Sequence, residues 1–246
     1  MDTVIIIPAR YKSTRFPGKP LALIKKIPMI VRVLNICSKV LPKKKIFVAT
    51  DDIKISNEVK SSGYNALITS KKHKTGTDRV AEAAKKIKAN IYINVQGDEP
   101  LINPRDIKKI IEVKKKNFSD IVCGYCELNK FENPYDTNLI KVVLNQNKYL
   151  LYMSRNVIPF SKNKTKGINF FKQVCIYAFN KDELRLFSKF KKKCITEKIE
   201  DIEILRFFES NKKIKMVKFS SSSITVNNKK DIKKVEKYLK WKKKLY

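Results

Sequence analysis

The sequence predicts an α/β fold in which a mainly parallel, twisted sheet is flanked by helices. Short apolar runs rich in β-branched residues, such as Val4–Ile7 and Ile91–Val95, are typical of strands buried on both faces of a parallel sheet. These runs alternate with segments whose apolar residues recur at helical spacing. Such alternation implies parallel strands that are joined by right-handed crossovers.

The length of the chain fits one large domain, residues 1–246, since 43% of its 246 residues are hydrophobic and can form a substantial core. No apolar run approaches the roughly 18–20 residues that a membrane helix needs, so we expect no stable membrane insertion. The N-terminus enters a strand directly, without the charged and apolar regions of a secretion signal. This favours a cytoplasmic location.

The five cysteines form an odd, scattered set. Cys123-x-x-Cys126 is a spacing found in redox and zinc sites, but it lies in an apolar run without a second pair, and His73 is the chain's one histidine. The sequence therefore predicts buried free thiols in a reducing compartment.

The formal net charge of +32 comes from 47 lysines and only 8 arginines. The lysines are spread along every predicted helix, which indicates solvated faces. Five of the arginines fall in motif or helix-face positions, and this favours a small anionic ligand over a nucleic acid. A weaker attraction to RNA or to anionic lipid stays open.

The loop after the first strand, residues 8–20, is rich in groups that bind phosphate. It contains Arg10, Lys12, Ser13, Thr14, Arg15, Gly18 and Lys19. Ligands of open α/β sheets bind beyond the carboxyl ends of the strands, and guanidinium groups fork onto phosphate oxygens. The loop therefore predicts a triphosphate site, with a solvated basic turn as the alternative. Its spacing matches neither a P-loop nor a dinucleotide-binding turn.

The next elements follow from the same patterns. A helix is predicted from Pro28 to about Lys39, with one apolar stripe, and a strand from Lys45 to Thr50. A short helix then runs to Ser62, where Gly63 is placed as its C-terminal stop. A third strand covers Asn65–Thr69.

Small residues open the following helix, which runs to about Lys88. Thr75, Gly76 and Thr77 put backbone N–H groups and short side chains at a helix start, where a base edge or a ribose could bind. The alternative is an ordinary helix cap by Thr75 or Thr77. His73 is expected at the surface.

The strand Ile91–Val95 delivers residues 96–100 to the sheet edge that carries the cationic loop. Asp98 in this turn is the predicted ligand of Mg²⁺, a hard cation that takes oxygen ligands and bridges to phosphates. Glu99 is ambiguous, because turn chemistry also explains it.

The second half contains further elements of both kinds. The sequence predicts a helix over Pro104–Lys116, a strand over Asp120–Glu127, a loop over Phe131–Thr137 with a turn at Asn133-Pro134, β-structure over Asn138–Leu144 and an aromatic strand before Arg155.

Two stretches resemble one known family. IIIPARYKSTRFPGKPL and NVQGDEP closely resemble motifs of the 3-deoxy-manno-octulosonate (Kdo) cytidylyltransferases, also called CMP-Kdo synthetases. The resemblance implies a nucleotide-diphospho-sugar transferase-like fold, CTP as a substrate and Mg²⁺ as a cofactor. It places the triphosphate on the first loop, where we predict phosphate contacts from Arg10, Ser13, Arg15 and Lys19 and a substrate contact from Ala9. The predicted catalytic residues are Arg10, Arg15, Lys19 and Asp98. It places the cytidine on Thr75, Gly76 and Thr77.

The resemblance also implies an acceptor pocket and an oligomer. The sugar acid would contact Gln96, Arg155, Gln173, Tyr177 and Glu203. An inserted β arm at about residues 130–170 would make a homodimer contact. The implied reaction activates a 3-deoxy-ulosonic acid with CTP, to give a CMP-sugar and pyrophosphate for lipopolysaccharide or capsule synthesis.

Four positions depart from the family pattern. Gln173 stands where the family has histidine, Cys175 where it has glycine and Ile204 where it has glutamine. Asn227 replaces the second acidic metal ligand, so the expected metal set is Asp98 with Asn227. Three changes lie on the acceptor side, which leaves an amino-Kdo or another 3-deoxy-ulosonic acid as the acceptor. The alternatives are a cytidylyltransferase for another nonulosonic acid and, because of Asn227, a CTP-binding homologue without turnover.

Overall fold

The computed structural model describes residues 1–12, 16–129, 132–162, 169–190, 192–220 and 224–243. The elements of the first half are β1 (Thr3–Ala9), β2 (Leu23–Ile24), β3 (Ile27–Pro28), α1 (Met29–Cys37), β4 (Ile46–Thr50), α2 (Ile53–Ser61), β5 (Asn65–Ile68), α3 (Gly76–Lys86), β6 (Ile91–Val95) and α4 (Pro104–Lys116). Those of the second half are β7 (Ile121–Glu127), β8 (Lys141–Leu144), β9 (Leu150–Ser154), β10 (Phe171–Phe179), α5 (Lys181–Lys189), α6 (Ile195–Glu200), β11 (Ile214–Lys218) and α7 (Lys229–Lys243). Short 3₁₀ helices cover Lys19–Leu21, Lys43–Lys45 and Glu203–Ser210.

Within these residues, nine strands form one mixed sheet. Seven follow the order β11-β7-β10-β6-β1-β4-β5, and β8 and β9 form a hairpin that is attached through β10. The pairs β6–β1, β1–β4, β4–β5 and β11–β7 are parallel, whereas β10 runs antiparallel to both β6 and β7. The predicted α/β class with a mainly parallel central sheet is confirmed.

Helices cover both faces of this sheet, which explains the continuous apolar strands. All seven residues of β1 are buried, and their side chains alternate between two core clusters. Ile5 packs in the cluster that includes residues of α1, α2 and α4, and Ile6 packs in the cluster that includes residues of α3 and α5. A strand covered on both faces needs apolar residues at every position.

The helix boundaries follow the sequence signals closely. The apolar stripe of α1 is buried as expected, although the helix ends at Cys37, two residues before the expected Lys39. Gly63 follows α2 with a left-handed φ of 78°, and its N–H donates to the Lys60 carbonyl at 2.9 Å. Glycine adopts this conformation without steric cost, so it stops the helix as predicted.

The resemblance to the family also implies one helix from Glu197 to Phe208, and here the structure differs. Here α6 ends at Glu200, and Asp201 adopts a left-handed φ of 50°. The chain then continues as the 3₁₀ helix Glu203–Ser210. This break turns Ile204 into the core, where it is fully buried, so it does not line a polar pocket.

The β8–β9 hairpin lies within the expected arm. It joins the main sheet where Lys141 and Val142 pair with Lys172 and Phe171 of β10. The aliphatic side chain of Lys141 is fully buried, and its ammonium donates to carbonyls on both sides of the hairpin. Residues 130–131 and 163–168 of the expected arm lie outside the described residues.

All five cysteines are free thiols, but only Cys37, Cys123 and Cys126 are buried as predicted, and Cys175 and Cys194 are partly exposed. Cys123 and Cys126 lie three positions apart on β7, so their side chains point to opposite faces and enter different core clusters. Burial raises the pKa of Cys123 to about 12 and that of Cys126 to about 11. In the described ranges, no cluster of three or more His, Cys, Asp or Glu side chains is arranged to hold a metal. None of the helices in those ranges has the length and apolarity to cross a bilayer.

Candidate active site

The carboxyl ends of β1 and β6 and the start of α3 meet at one edge of the sheet. A Cβ on Gly97 would lie 3.1 Å from the Pro8 carbonyl oxygen. A Cβ on Gly76 would lie 3.2 Å from Gln96 Nε2 and 3.3 Å from Pro8 Cγ. Because both residues are glycines, the end of β1, the turn after β6 and the start of α3 can approach one another closely.

The cationic loop folds back over β1. Gly18 adopts a left-handed φ of 69°, and its N–H donates to the Tyr11 carbonyl at 2.9 Å. The 3₁₀ helix that follows begins at Lys19 and contains Pro20, whose fixed φ suits a first turn. This turn aims the Lys19 side chain toward the end of β6.

Lys19 and Asp98 lie in direct contact. Lys19 Nζ donates to Asp98 Oδ2 at 2.5 Å and to the Val226 carbonyl at 2.9 Å. The Val226 N–H in turn donates to the Asp98 carbonyl at 2.9 Å. The side chains of Lys19 and Asp98 are 16% and 26% exposed, so the pair is partly open to a ligand. The cationic and acidic turns thus share one site, as the sequence predicted.

The acidic turn, residues 96–100, is hydrogen-bonded to the segment before α7. Glu99 is buried and accepts a hydrogen bond from Thr225 Oγ1 at 2.6 Å, so this ambiguous carboxylate supports the turn. Asn227 is half-buried and follows Val226, the residue that bonds Asp98. The Asn227 backbone N–H donates to Asp231 Oδ2 at 3.0 Å, which fixes the start of α7.

The oxygen atoms in this corner are suited to a cation. Asp98 Oδ2 and the Val226 carbonyl both accept from the ammonium of Lys19, so two oxygens already converge on one positive group. A hard divalent cation prefers such oxygen ligands. The carboxylate of Asp231 is engaged by backbone N–H groups and by Lys234, so Asp98 is the carboxylate that faces the loop.

The remaining residues of the predicted triphosphate loop are only partly described. Ala9 is buried at the end of β1, and Arg10 is exposed directly after it. The pKa of the Asp201 carboxyl is lowered mainly by its hydrogen bond with Lys193. The charge of Arg10 also contributes to this shift, so Arg10 lies near Asp201. Ser13 and Arg15 lie outside the described residues.

The Thr75–Thr77 turn is a helix cap, and it also faces the predicted acceptor side. Thr75 Oγ1 accepts from the Asp78 N–H at 3.1 Å, and Asp78 Oδ2 accepts from the Thr75 N–H at 3.1 Å. These two bonds form a capping box. The Thr77 N–H donates to Glu203 Oε2 at 2.9 Å. The capping interpretation is correct, and a nucleotide role for the turn stays a prediction.

Four of the predicted acceptor residues form two hydrogen-bonded pairs. Gln96 Nε2 donates to Glu203 Oε1 at 3.4 Å, and Gln173 Nε2 donates to the Tyr177 hydroxyl at 3.1 Å. An irregularity in the pairing of β10 between Val174 and Tyr177 redirects these side chains, as bulges near active sites often do. Burial raises the pKa of Glu203 and raises that of Tyr177 well above its ordinary value.

Arg155 has a structural role in this conformation. Its guanidinium donates to three backbone carbonyls, those of Thr137, Glu200 and Asp201, at 2.9, 2.6 and 3.0 Å. These bonds tie the end of β9 to the end of α6. Its predicted contact with a sugar carboxylate stays a prediction.

Two further residues take part in the site without having been predicted to do so. Asp78 closes the capping box, and Arg206 Nη1 donates to Asp78 Oδ1 at 2.7 Å. The spacing of Thr75 and Asp78 is a capping-box pattern that could have identified Asp78 from the sequence. The partner of Arg206 is 128 residues away, and no local pattern indicates it.

Comparison with known proteins identifies the family. Residues 4–214 match the family model described as Cytidylyltransferase. The 3-deoxy-manno-octulosonate cytidylyltransferase of Thermodesulfovibrio yellowstonii is 39% identical over 97% of this chain and 98% of its own length. The enzyme of that name from Fusobacterium nucleatum is 40% identical over 96% of each chain. The solved structure of CMP:2-keto-3-deoxy-manno-octonic acid synthetase complexed with CTP superposes with a TM-score of 0.91 at 32% identity, covering 98% of this chain and 100% of that one. The chain therefore belongs to the cytidylyltransferase family and, within it, to the 3-deoxy-manno-octulosonate cytidylyltransferases.

Proposed function

We propose that this enzyme transfers the cytidylyl group of CTP to a 3-deoxy-ulosonic acid, with Kdo as the first candidate. The anomeric hydroxyl oxygen of the acid bonds to the α-phosphorus of CTP, and the bond from that phosphorus to the bridging oxygen of the β-phosphate breaks. Pyrophosphate leaves, and the hydroxyl proton is lost to solvent. The product is a CMP-sugar of the kind that lipopolysaccharide or capsule synthesis consumes.

The observation that carries this proposal is the contact between Lys19 and Asp98 beside the Thr75–Thr77 turn. Lys19, Asp98 and the start of α3 lie at one edge of the sheet, where they would serve the phosphates, the metal and the nucleoside. The solved structure complexed with CTP superposes over 98% of this chain. Lys19 and Arg10 would neutralise the triphosphate, together with Arg15 and Ser13. Catalysis then depends on positioning and charge stabilisation.

Mg²⁺ is the proposed cofactor, held by Asp98 with Asn227 beside it. When bound, it would neutralise charge on the phosphates and orient them. Lys19 would then exchange Asp98 for a phosphate oxygen, because both partners are anionic oxygens within reach of one flexible ammonium. Asn227 offers a neutral amide oxygen, so we expect weaker metal affinity than with two carboxylates.

The names of the relatives favour Kdo, and the acceptor pocket leaves one close analogue as a second candidate. Gln173 is held by the Tyr177 hydroxyl, and its amide carries both a donor and an acceptor. An amide of this kind can bond either the hydroxyl of Kdo or the amine of an amino-Kdo. A site that hydrogen-bonds one polar group rejects analogues that lack it by large factors, so a panel of acceptors separates the two.

The experiment is an assay of pyrophosphate release with CTP, Mg²⁺ and each acid in turn. We expect release with Kdo or the amino analogue, and we expect Asp98→Ala to lower turnover at least about a hundredfold. Asp2→Ala is the matched control, because Asp2 also pairs with a lysine but lies away from the site, at the start of β1. Binding of CTP without release from any acid would identify a non-catalytic homologue, and release only with another nonulosonic acid would reassign the acceptor.

We also propose that two copies associate through the hairpin. Large apolar side chains are exposed on β9 and in the chain after it, namely Leu151, Tyr152 and Phe160. A sheet edge with exposed apolar residues is a usual place for association. Sedimentation equilibrium should give a dimer for the natural chain and a monomer for Leu151→Glu, and a monomeric natural chain would overturn this proposal.

A further inference from the structure

Two buried cations in this molecule hold the acidic member of a helix capping box. Lys114 Nζ donates to both carboxylate oxygens of Glu183, which caps α5, at 2.8 Å. Arg206 Nη1 donates to Asp78, which caps α3. The Lys114 pair lies away from the candidate site, whereas the Arg206 pair lies directly behind the Thr75–Thr77 turn.

Arg206 is held in one orientation by contacts on every side. Its side chain is 2% exposed. Its Nε and Nη2 donate to the two carboxylate oxygens of Glu197 at 2.7 and 2.6 Å, and its guanidinium lies 3.8 Å from the ring centroid of Phe187. Because Nε and Nη2 of the planar guanidinium are engaged by Glu197, the remaining nitrogen, Nη1, is directed at Asp78.

The 3₁₀ helix that carries Arg206 forms hydrogen bonds with two adjacent residues at the start of α3, Thr77 and Asp78. Side chains three residues apart in a 3₁₀ helix lie on the same face, so Glu203 and Arg206 point the same way. Glu203 accepts from the Thr77 N–H, and Arg206 donates to the Asp78 carboxylate. Glu203 also bonds Gln96, which stands on the predicted acceptor side.

We infer that Arg206, acting through Asp78, is a positioning residue that sets the Thr75–Thr77 turn against Gln96. Its side chain is buried, so it would act through Asp78 and not by contact with a substrate. It fixes the distance between the nucleoside side and the acceptor side of the site, because one short helix holds both. This inference rests on the proposed function, in which that turn contacts the cytidine.

The loss of this link should affect binding of the nucleotide more than the stability of the fold. Asp78→Asn removes the charged partner of Arg206 but leaves an amide oxygen that can accept from the Thr75 N–H. The Arg206–Glu197 pair stays intact. Glu183→Gln is a matched control, because it makes the same acid-to-amide change in the capping box of α5 and also removes the partner of a buried cation.

The experiment measures the Kd for CTP by calorimetry, KM and kcat in the release assay, and the unfolding midpoint. We expect Asp78→Asn to raise the Kd and KM for CTP about tenfold or more, as the loss of one charge-assisted hydrogen bond would. Turnover at saturating CTP should change less than the KM. Glu183→Gln should lower the unfolding midpoint at least as much, because the fully buried Lys114 loses its carboxylate partner, and should leave both constants for CTP unchanged.

Arg206→Lys is the second variant, since lysine keeps the charge but cannot bond Glu197 and Asp78 together as the planar fork does. It should behave as Asp78→Asn does. Hydrogen exchange of the amides at residues 75–78 should accelerate in both variants and not in the control.

Two outcomes would overturn the inference, and they are distinguishable from each other. If the natural chain binds no CTP, the proposed function fails, and the inference fails with it. If the natural chain binds CTP but Asp78→Asn matches Glu183→Gln in Kd, KM and exchange at residues 75–78, only the positioning role fails.

Discussion

At the scale of single residues, Gly124 shows how a missing side chain shapes the sheet. Gly124 lies in the middle of β7, and a Cβ there would lie 2.2 Å from Cε2 of the Phe219 ring. Glycine in a strand often marks a place where another group approaches the backbone closely. We therefore expect Gly124→Ala to destabilise the fold by about 1–3 kcal/mol, the usual cost of overpacking a core. Urea denaturation would measure this free energy.

The control for that prediction is a double-mutant cycle with Phe219→Leu. Phe219 belongs to the buried core and its ring is the group that a new methyl would meet. If the clash is the cause, Gly124→Ala should cost less in the Phe219→Leu background than alone. Equal costs in both backgrounds would contradict this explanation.

Asp106 gives a pH dependence whose sign follows from its burial. Burial raises the pKa of Asp106 to about 6, and the nearby Lys109 and the N–H of Ser220 only partly oppose this. Between about pH 4 and 6 the folded chain keeps a proton that the unfolded chain has released, so Asp106 lowers stability as the pH rises through this window. Above pH 6 the full penalty remains.

We therefore expect Asp106→Asn to stabilise the protein by about 1–3 kcal/mol at pH 7.5 and to have little effect at pH 4. Urea denaturation at both pH values would measure the difference. Asp182→Asn is a suitable control, because Asp182 is 87% exposed and no burial penalty is relieved there. A gain at pH 4 equal to that at pH 7.5 would exclude titration of Asp106 as the cause.

The sequence predicted some of these residues and not others, for a physical reason. Lys19 and Asp98 could be placed together because each follows a strand, and strand ends of a parallel sheet meet at one edge. Arg206 and Asp78 could not, because their contact joins elements 128 residues apart with no shared pattern. The same limit applies to Arg155, whose partners are backbone carbonyls that any sequence offers.

At the scale of elements, local patterns predicted most helices and strands, whereas tertiary packing decided the exceptions. The helix α4 begins and ends at the predicted residues Pro104 and Lys116, because proline suits a first turn and the apolar stripe has helical period. The antiparallel direction of β10 between β6 and β7 was not predicted. Its sequence is an apolar run, and strand direction depends on the connection that leads into it.

The hairpin depends on one buried lysine, and this gives a prediction at the scale of an element. Lys141 donates to the carbonyls of Asp136, Leu139 and Arg155, and desolvation lowers its pKa. Lys141→Met would leave these carbonyls without their donor in a partly buried place, at a cost of about 1–3 kcal/mol each where water cannot replace it. Hydrogen exchange should accelerate in residues 136–155 and much less in β1.

Lys215→Met is the control for that experiment. Lys215 also donates to a backbone carbonyl, that of Asn147 at 2.6 Å, but in an exposed place where water can replace it. We expect little change in exchange from this substitution. Unchanged protection of the hairpin in Lys141→Met would mean that strand pairing alone orders it.

At the scale of the whole molecule, the net charge of +32 opposes compaction. Like charges repel throughout the folded chain, and this self-repulsion lowers the stability of a compact state. Salt reduces the repulsion, since the Debye length falls from about 30 Å at 0.01 M to about 8 Å at 0.15 M ionic strength. We therefore expect the thermal midpoint to rise by at least about 2 °C over this range, the shift that about 1 kcal/mol produces in a chain of this size.

Anion binding at the cationic loop would also stabilise the fold, so the salt experiment needs a variant that separates the two causes. Lys19→Met changes the net charge by one but removes the cation that faces Asp98. General screening should give the same dependence on sodium chloride in both proteins, because one charge in 32 matters little. A dependence that disappears in Lys19→Met would assign the effect to the triphosphate loop, and a midpoint that falls with salt would show that attractive ion pairs outweigh repulsion.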